Sequence, residues 1–353
     1  MAQHLTALTK DEITAPHVNL VPLEFPGDLY LYVGTHVWSF IEDQLSYYTS
    51  EMLKECDWYI DELTSLKNQI HNAEVGSEFR KQLTDRIVVF RKSHEGLSTL
   101  SAPVFWSRIK DNKQKRKVCK RGVMTIPYGG TGYGLGQQVI DDSRKHGIEQ
   151  LMTMEHRWGS YIGRVIYDDC KVSMKKPTQL LSVFEAAGRR AEEQGKFLSW
   201  NIPLTNFPVV QHYVEGTVKK LYIQYGPPKG GRNSSGYYEN TLQLAVCFLE
   251  DTQPSARKQS QGASPNAIHS LDAAHLMLTV HRCNFPVTTI HDSFGCLLGD
   301  MPELFITIRE TFVELYQADP LASLMKDIDG DLSSVEIGTL DINLVIESEY
   351  AFC

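Results

Sequence analysis

Arg116, Lys120, Met124 and Tyr128 recur at intervals of four. On an α-helix that spacing lines up two cations, a thioether and a phenol along one slowly winding face. Such a face suits an extended anion: cations neutralise phosphates through charge-assisted hydrogen bonds, and the phenol meets the sugar or base they carry. Taken alone, the pattern is more often that of a solvated basic helix, since charge runs usually lie on the surface. The glycine run after it, GGTGYGLG at 129–136, is not a P-loop, because no Lys-Ser or Lys-Thr comes after its last glycine. A second locus lies in VTTIHDSFGCLL at 287–298, which reads as strand, tight turn, strand with His291 and Asp292 at the turn. Flanking β-favouring residues predict a carboxylate at the exposed tip of a buried hairpin. Magnesium takes one or two protein carboxylates with phosphate oxygens and water, so Asp292 is compatible with half of a two-metal site; an aspartate capping its own turn is the alternative. With twelve histidines in the chain, His269, His275 and His291 do not by themselves define a zinc site.

These loci need elements to hold them. Asp28 in PGD is placed to cap a helix whose apolar residues Leu29, Val33, Val37, Phe40, Ile41 and Leu45 share a core-facing side. Residues 51 to about 95 read as a polar, peripheral helical pair, a scaffold or partner surface. The stretch RIKDNKQKRKVCKR at 108–121 concentrates positive charge, and another helical stretch is expected after the glycines. Between 196 and 250, FLSWNI, VKKLYIQY and ENTLQLAVCFL favour strands. They are separated by GPPKGGRNSSG, a flexible hairpin tip or a disordered loop. A helix is predicted over about 264–282, and another after Asp300, with Pro302 and Glu303 in its first turn and Phe305, Ile308, Phe312 and Leu315 buried. No internal repeat is visible.

With 353 residues, 42% hydrophobic and 22% charged, the chain can bury a substantial core in two lobes. The first residues, MAQHLTALTK, have no apolar stretch of signal-peptide length, and no run approaches the roughly 18 apolar residues of a membrane helix. A soluble, unexported protein is expected. Seven cysteines without a C-x-x-C pair suggest neither a zinc knuckle nor a disulfide framework, and fit a reducing cytoplasm. The net charge of −8 requires that any nucleic-acid contact come from a local basic patch.

Taken together and in order, these segments resemble the single-subunit DNA-dependent RNA polymerases of phages and mitochondria. KRGVMTIPYGGTGYGLGQQV looks like that family's motif B on the fingers helix, SPNAIHSLDAAHL like the segment before motif C, and TTIHDSFGCLL like motif C. QHLTALTKDE and VNLVP resemble the family's segment just after motif A, and VIESEYAFC resembles the aromatic C-terminal tail that folds toward the active site. The resemblance implies an α+β, mostly helical, right-hand polymerase fold made of a partial palm plus fingers. Its parts would be a palm segment over 1–50, a helical peripheral region over 51–107, fingers over 108–195, a promoter-reading hairpin over 196–251, and the rest of the palm over 252–353.

Residue by residue, the resemblance implies that Arg116 and Lys120 bind the incoming triphosphate. Met124, Tyr128 and Gly129 would lie beside the ribose and templating pair, with His269 near the 2′-hydroxyl or primer end. Asp292 would hold two Mg²⁺ ions, with His291 beside the RNA 3′ end and Phe352 and the Cys353 carboxylate nearby. In the hairpin, Lys219, Lys220, Lys229 and Arg232 would contact DNA, and Tyr237 and Tyr238 would stack on unpaired bases.

The family's motif A aspartate, the second magnesium ligand, should precede the position of Gln3 by a few residues, where this sequence starts at Met1. The N-terminal DNA-binding domain and the motif A strand are likewise not in the sequence. The arrangement resembles the larger subunit of the two-subunit RNA polymerase II of Enquatrovirus-type phages. It implies a smaller partner subunit that supplies the aspartate in trans and packs against the Gln3–Leu8 helix. Template DNA, nascent RNA, ribonucleoside triphosphates and an accessory DNA-melting or single-strand-binding protein would be its other partners, and the cytoplasm of an infected bacterium its location. A fragment of an A-family DNA polymerase is the rival, since it shares the Arg-x3-Lys-x7-Tyr-Gly pattern. Such enzymes usually carry an aromatic residue where Met124 stands and a glutamate where Ser293 stands. A catalytically inactive structural subunit is a third reading, against which the set Arg116, Lys120, Tyr128 and Asp292 speaks.

Overall fold

A computed structural model describes residues 2–145, 154–228 and 238–352. It is a mostly helical α+β fold. Helix α1 (Ala2–Leu8) leads through a 3₁₀ turn at Pro16–Val18 to α2 (Leu29–Leu45). Asp28 caps α2 as expected, its Oδ1 accepting from the amides of Tyr30 and Leu31. Leu29, Val33, Val37 and Ile41 form the buried face, whereas Phe40 is 53% exposed. The apolar stripe is wider than the surface that its neighbours cover.

Helices α3 (Ser50–Asn72) and α4 (Glu78–Ser93) form the polar pair anticipated, and α3 still buries Cys56, Tyr59, Ile60, Leu63 and Leu66. Next come α5 (Glu95–Ser107), α6 (Asn112–Thr125), α7 (Gly132–Lys145) and α8 (His156–Ser173). Three buried tryptophans rivet this region. Trp38 Nε1 donates to the carbonyl of Trp106, Trp106 Nε1 to that of Trp158, and Trp158 Nε1 to Ser98 and Ser101. Each large apolar ring is buried while its one donor stays satisfied, so α2, α5 and α8 are fixed to one another.

The helix predicted after the glycine run instead begins inside it, at Gly132. The reason is close packing: a Cβ at Gly136 would come within 2.6 Å of the Gly159 carbonyl oxygen, and one at Gly163 within 2.2 Å of the Gly136 nitrogen. The glycines serve backbone contact between α7 and α8, at the cost of helix propensity.

α9 (Lys175–Glu193) leads to the strands. β1 (Ser199–Ile202) pairs antiparallel with β2 (Phe207–Val210), a strand the sequence pattern did not announce. β3 (Val214–Pro228) and β4 (Tyr238–Pro254) form a long antiparallel ribbon, with Lys219 opposite Val246 and Lys220 opposite Ala245. Lys229, Arg232, Tyr237 and most of GPPKGGRNSSG lie outside the described residues. The ribbon's root is clamped by reciprocal amide hydrogen bonds between buried Gln211 and Gln259.

α10 (Ala256–Arg282) starts eight residues before the expected helix, capped by the Ser255 hydroxyl, and contains Pro265 rather than beginning near it. β5 (Thr288–Ile290) and β6 (Ser293–Gly295) form the predicted hairpin. It is not buried: all three residues of β5 are exposed, Ile290 by 75%. In α11 (Met301–Gln317), Ile308, Phe312 and Leu315 are buried as expected. Phe305 is instead 43% exposed, its ring covered by the Arg309 guanidinium. α12 (Pro320–Asp327) and α13 (Leu344–Glu347) precede the tail.

Candidate nucleotide and metal site

α6 carries Arg116, Lys120 and Met124, but the helix ends at Thr125, and Tyr128 closes a 3₁₀ turn over Ile126–Tyr128. The four-residue register therefore loses its regularity at its last member, because Pro127 cannot donate a helical hydrogen bond. Gly129 comes next at φ 76°, a left-handed conformation suited to glycine, and turns the chain toward α7. Tyr128 remains half-exposed at the end of the basic face.

Its ring lies 5.5 Å from that of His269 on α10, and the His269 ring lies 6.5 Å from His291 at the β5–β6 turn. The end of α6, α10 and the β5–β6 turn, far apart in the chain, thus converge on one histidine. His291 adopts φ 57° at the first position of the two-residue turn. That position favours glycine, so a histidine there is strained by the order of 1 kcal/mol, a pattern that often marks function. The neighbouring Asp292 carboxylate is 64% exposed and 3.4 Å from His291 Nδ1. Among the described residues no group of three or more His, Cys, Asp or Glu residues is assembled to hold a metal ion. Asp292 fits magnesium only as one carboxylate of a site completed by phosphate oxygens, water and another carboxylate.

Sequence reasoning missed Asp272, although its position three residues after His269 puts both on one side of α10. Burial pushes the Asp272 carboxyl up, but the hydrogen bond donated by His4 Nε2 (3.1 Å) and the electrostatic attraction of its surroundings together outweigh it and hold the group at about 2. His4 is buried, which lowers its pKa and keeps it neutral, with Nδ1 accepting from the Tyr316 hydroxyl at 2.7 Å. Thus α1 is docked within this chain against α9 and α10, and against α11 through the His4–Tyr316 hydrogen bond, burying residues 4–8. Burial, reinforced by the charges of Asp272 and Asp292, raises the Tyr128 phenol, so it stays protonated and able to donate. Burial lowers the His269 imidazole.

Behind these groups, the tail is held by buried Arg309, which donates to the carbonyls of Ser348, Glu349 and Ala351. Phe352 packs on His275 and Phe312, and His275 faces Phe294 of β6, so the tail backs the β5–β6 hairpin. Cys353 lies outside the described residues.

His275 Nε2 lies against the Ile308 carbonyl, an acceptor, so that nitrogen carries the proton. Burial, then the neighbouring His4, lowers its pKa to about 4. The unfolded chain takes up a proton near 6.5 and the folded chain only near 4, so the stabilising contribution is complete above 6.5 and lost as pH falls toward 4. Between those limits His275 alone should remove about 3 kcal/mol of stability. Urea unfolding of wild type and His275→Gln across pH 7 to 4.5 checks this; the variant should show a flatter decline, and equal slopes would exclude His275 as the cause.

A groove of about 800 Å³ opens beside Gly129–Thr131, lined by Lys171, Lys175, Arg189 and Arg257 from α8, α9 and α10. Residues 2–337 match the family model for DNA-dependent RNA polymerase. The chain belongs to the DNA-dependent RNA polymerase family. It is 26% identical to the DNA-directed RNA polymerase of Enterobacteria phage T3 and 25% identical to T7 RNA polymerase of Escherichia phage T7, over 99% of this chain in each case. It is also 25% identical to the mitochondrial DNA-directed RNA polymerase of Mus musculus, again over 99% of this chain. The chain spans 38% of the length of the two phage relatives and 25% of the mouse one. No helix among the described residues is long and apolar enough to cross a membrane.

Proposed function

We propose that this chain is the catalytic part of a DNA-directed RNA polymerase, joining ribonucleotides by template-directed nucleotidyl transfer. The observation that carries the reading is the convergence of Tyr128, His269 and His291–Asp292 at the end of the Arg116–Lys120 face. A triphosphate laid along α6 has its phosphates against Lys120 and Arg116 and its sugar toward Met124, Tyr128, Gly129 and His269. The protonated Tyr128 phenol then serves as a donor to the ribose or its base.

Magnesium, when bound at Asp292, supplies charge neutralisation for the reacting phosphate and lowers the cost of ionising a 3′-hydroxyl. His291 sits beside Asp292, where it orients the RNA end. Lys120 and Arg116 neutralise charge on the departing pyrophosphate, a contribution realised as the phosphate bond breaks. The basic groove beside Gly129 suits a nucleic-acid phosphate backbone, which brings the template next to Tyr128. Lys219 and Lys220, both exposed on the β3–β4 ribbon, suit contact with promoter DNA, as do Lys229 and Arg232 from its tip.

The second carboxylate comes, in this reading, from a smaller partner subunit, as in a two-subunit phage polymerase. Its support is the β5–β6 hairpin, a two-stranded sheet whose Ile290 is exposed, together with Leu297, Leu298 and Met301 in the segment that follows it, each more than half exposed. An apolar hairpin with open edges is stabilised by another strand laid on it. The chain should give little RNA synthesis alone on a preassembled RNA–DNA scaffold. Adding the product of the reading frame immediately upstream should produce magnesium-dependent synthesis. Strong extension by the purified chain alone would remove the need for a partner, and no extension under any pairing would count against the polymerase reading.

A further inference from the structure

We propose that Asp28 is a positioning residue for the triphosphate site, its carboxylate orienting the Arg116 guanidinium so that both Nη groups remain available to phosphate. The inference rests on the nucleotide site described above. The two oxygens of Asp28 have separate tasks. Oδ1 accepts from the amides of Tyr30 and Leu31 at 3.0 Å each, which fixes the carboxylate at the start of α2. Oδ2 accepts from Arg116 Nε on α6.

The choice of nitrogen is what matters. A carboxylate that gripped the two Nη atoms would occupy the forked edge with which arginine binds phosphate. Engagement at Nε leaves the four Nη hydrogens for a ligand while removing rotational freedom from a long side chain. Because Oδ1 is held by two backbone amides, Asp28 cannot follow the guanidinium toward a phosphate and acts as a fixed reference. Tyr30, two residues on, adds a flat wall: its ring centre lies 5.3 Å from Arg116 Cζ and 5.8 Å from Lys120 Nζ. One end of α2 thereby sets the direction of both cations, at the expense of part of the Arg116 charge.

The test titrates the chain, with magnesium, against guanosine triphosphate carrying a fluorescent group and against the corresponding labelled nucleoside. Asp28→Asn and Asp28→Ser both retain a capping oxygen and lose the charge. Each should weaken triphosphate binding by about tenfold, leave nucleoside binding unchanged and hold the thermal midpoint near that of wild type. Adding Asp28→Asn to Arg116→Ala should cost nothing more, because the residue to be oriented is gone. Unchanged or tighter triphosphate binding in both Asp28 variants would overturn the inference, as would losses that add in the double variant. If Arg116→Ala itself binds triphosphate like wild type, the nucleotide site is what fails, and Asp28 fails with it.

Discussion

Asp292→Ala should lower the nucleotide-addition rate of the assembled polymerase by at least about a thousandfold, since a metal ligand contributes several kcal/mol to stabilising the reacting phosphate. Its effect on folding should be small. The side chain is 64% exposed and pairs with His291 Nδ1 of the same turn, and substitution at such a position usually changes stability by no more than about 0.5 kcal/mol. Asp292→Asn should behave alike, because the amide preserves size but removes the charge. Single-turnover extension of an RNA–DNA scaffold, with thermal unfolding on the same preparations, separates the two effects. Activity within tenfold of wild type would exclude Asp292 from the metal site, and a collapsed thermal midpoint would reassign it to structure.

Lys120→Ala should reduce kcat/KM for ribonucleoside triphosphates by roughly a hundredfold, the usual consequence of losing one preorganised electrostatic stabiliser. Lys120 is exposed, its ammonium sits over the Tyr30 ring, and it makes no ion pair among the described residues. Its charge is therefore available to a ligand. Arg121, the next residue, provides the control: it pairs with Asp142 on α7, pointing its charge elsewhere. Arg121→Ala should leave nucleotide use within about twofold, consistent with the small effect of an exposed ion pair. Comparable losses in both variants would mean that α6 contributes general positive charge and no specific phosphate contact.

Local chemistry makes much of this arrangement legible in the sequence. The Asp28 cap, the α2 core stripe, the turn at His291–Asp292 and the β-ribbon all come from short-range patterns: a side chain capping the next turn, a repeat near four, an alternation of two. The motifs carrying Arg116, Lys120, Tyr128 and Asp292 are readable for the same reason, as each is contained in a few consecutive residues. Where a pattern has two physical readings, the sequence is silent. Gly132–Gly136 looks like a loop because glycine opposes helices, yet it is helix because α7 and α8 touch backbone to backbone.

Tertiary structure decides what faces what. Phe40 and Phe305 lie on the correct helical faces, but periodicity defines a direction and not where the neighbouring surface ends, so both emerge to solvent. The hairpin reads as a buried strand pair, and its exposure depends on which segments pack on it. His4 with Asp272, Asp28 with Arg116, and His269 between Tyr128 and His291 join segments distant in sequence. Their residue types are visible in the sequence, but pairing energies depend on separation and burial, and those are set only when the helices pack.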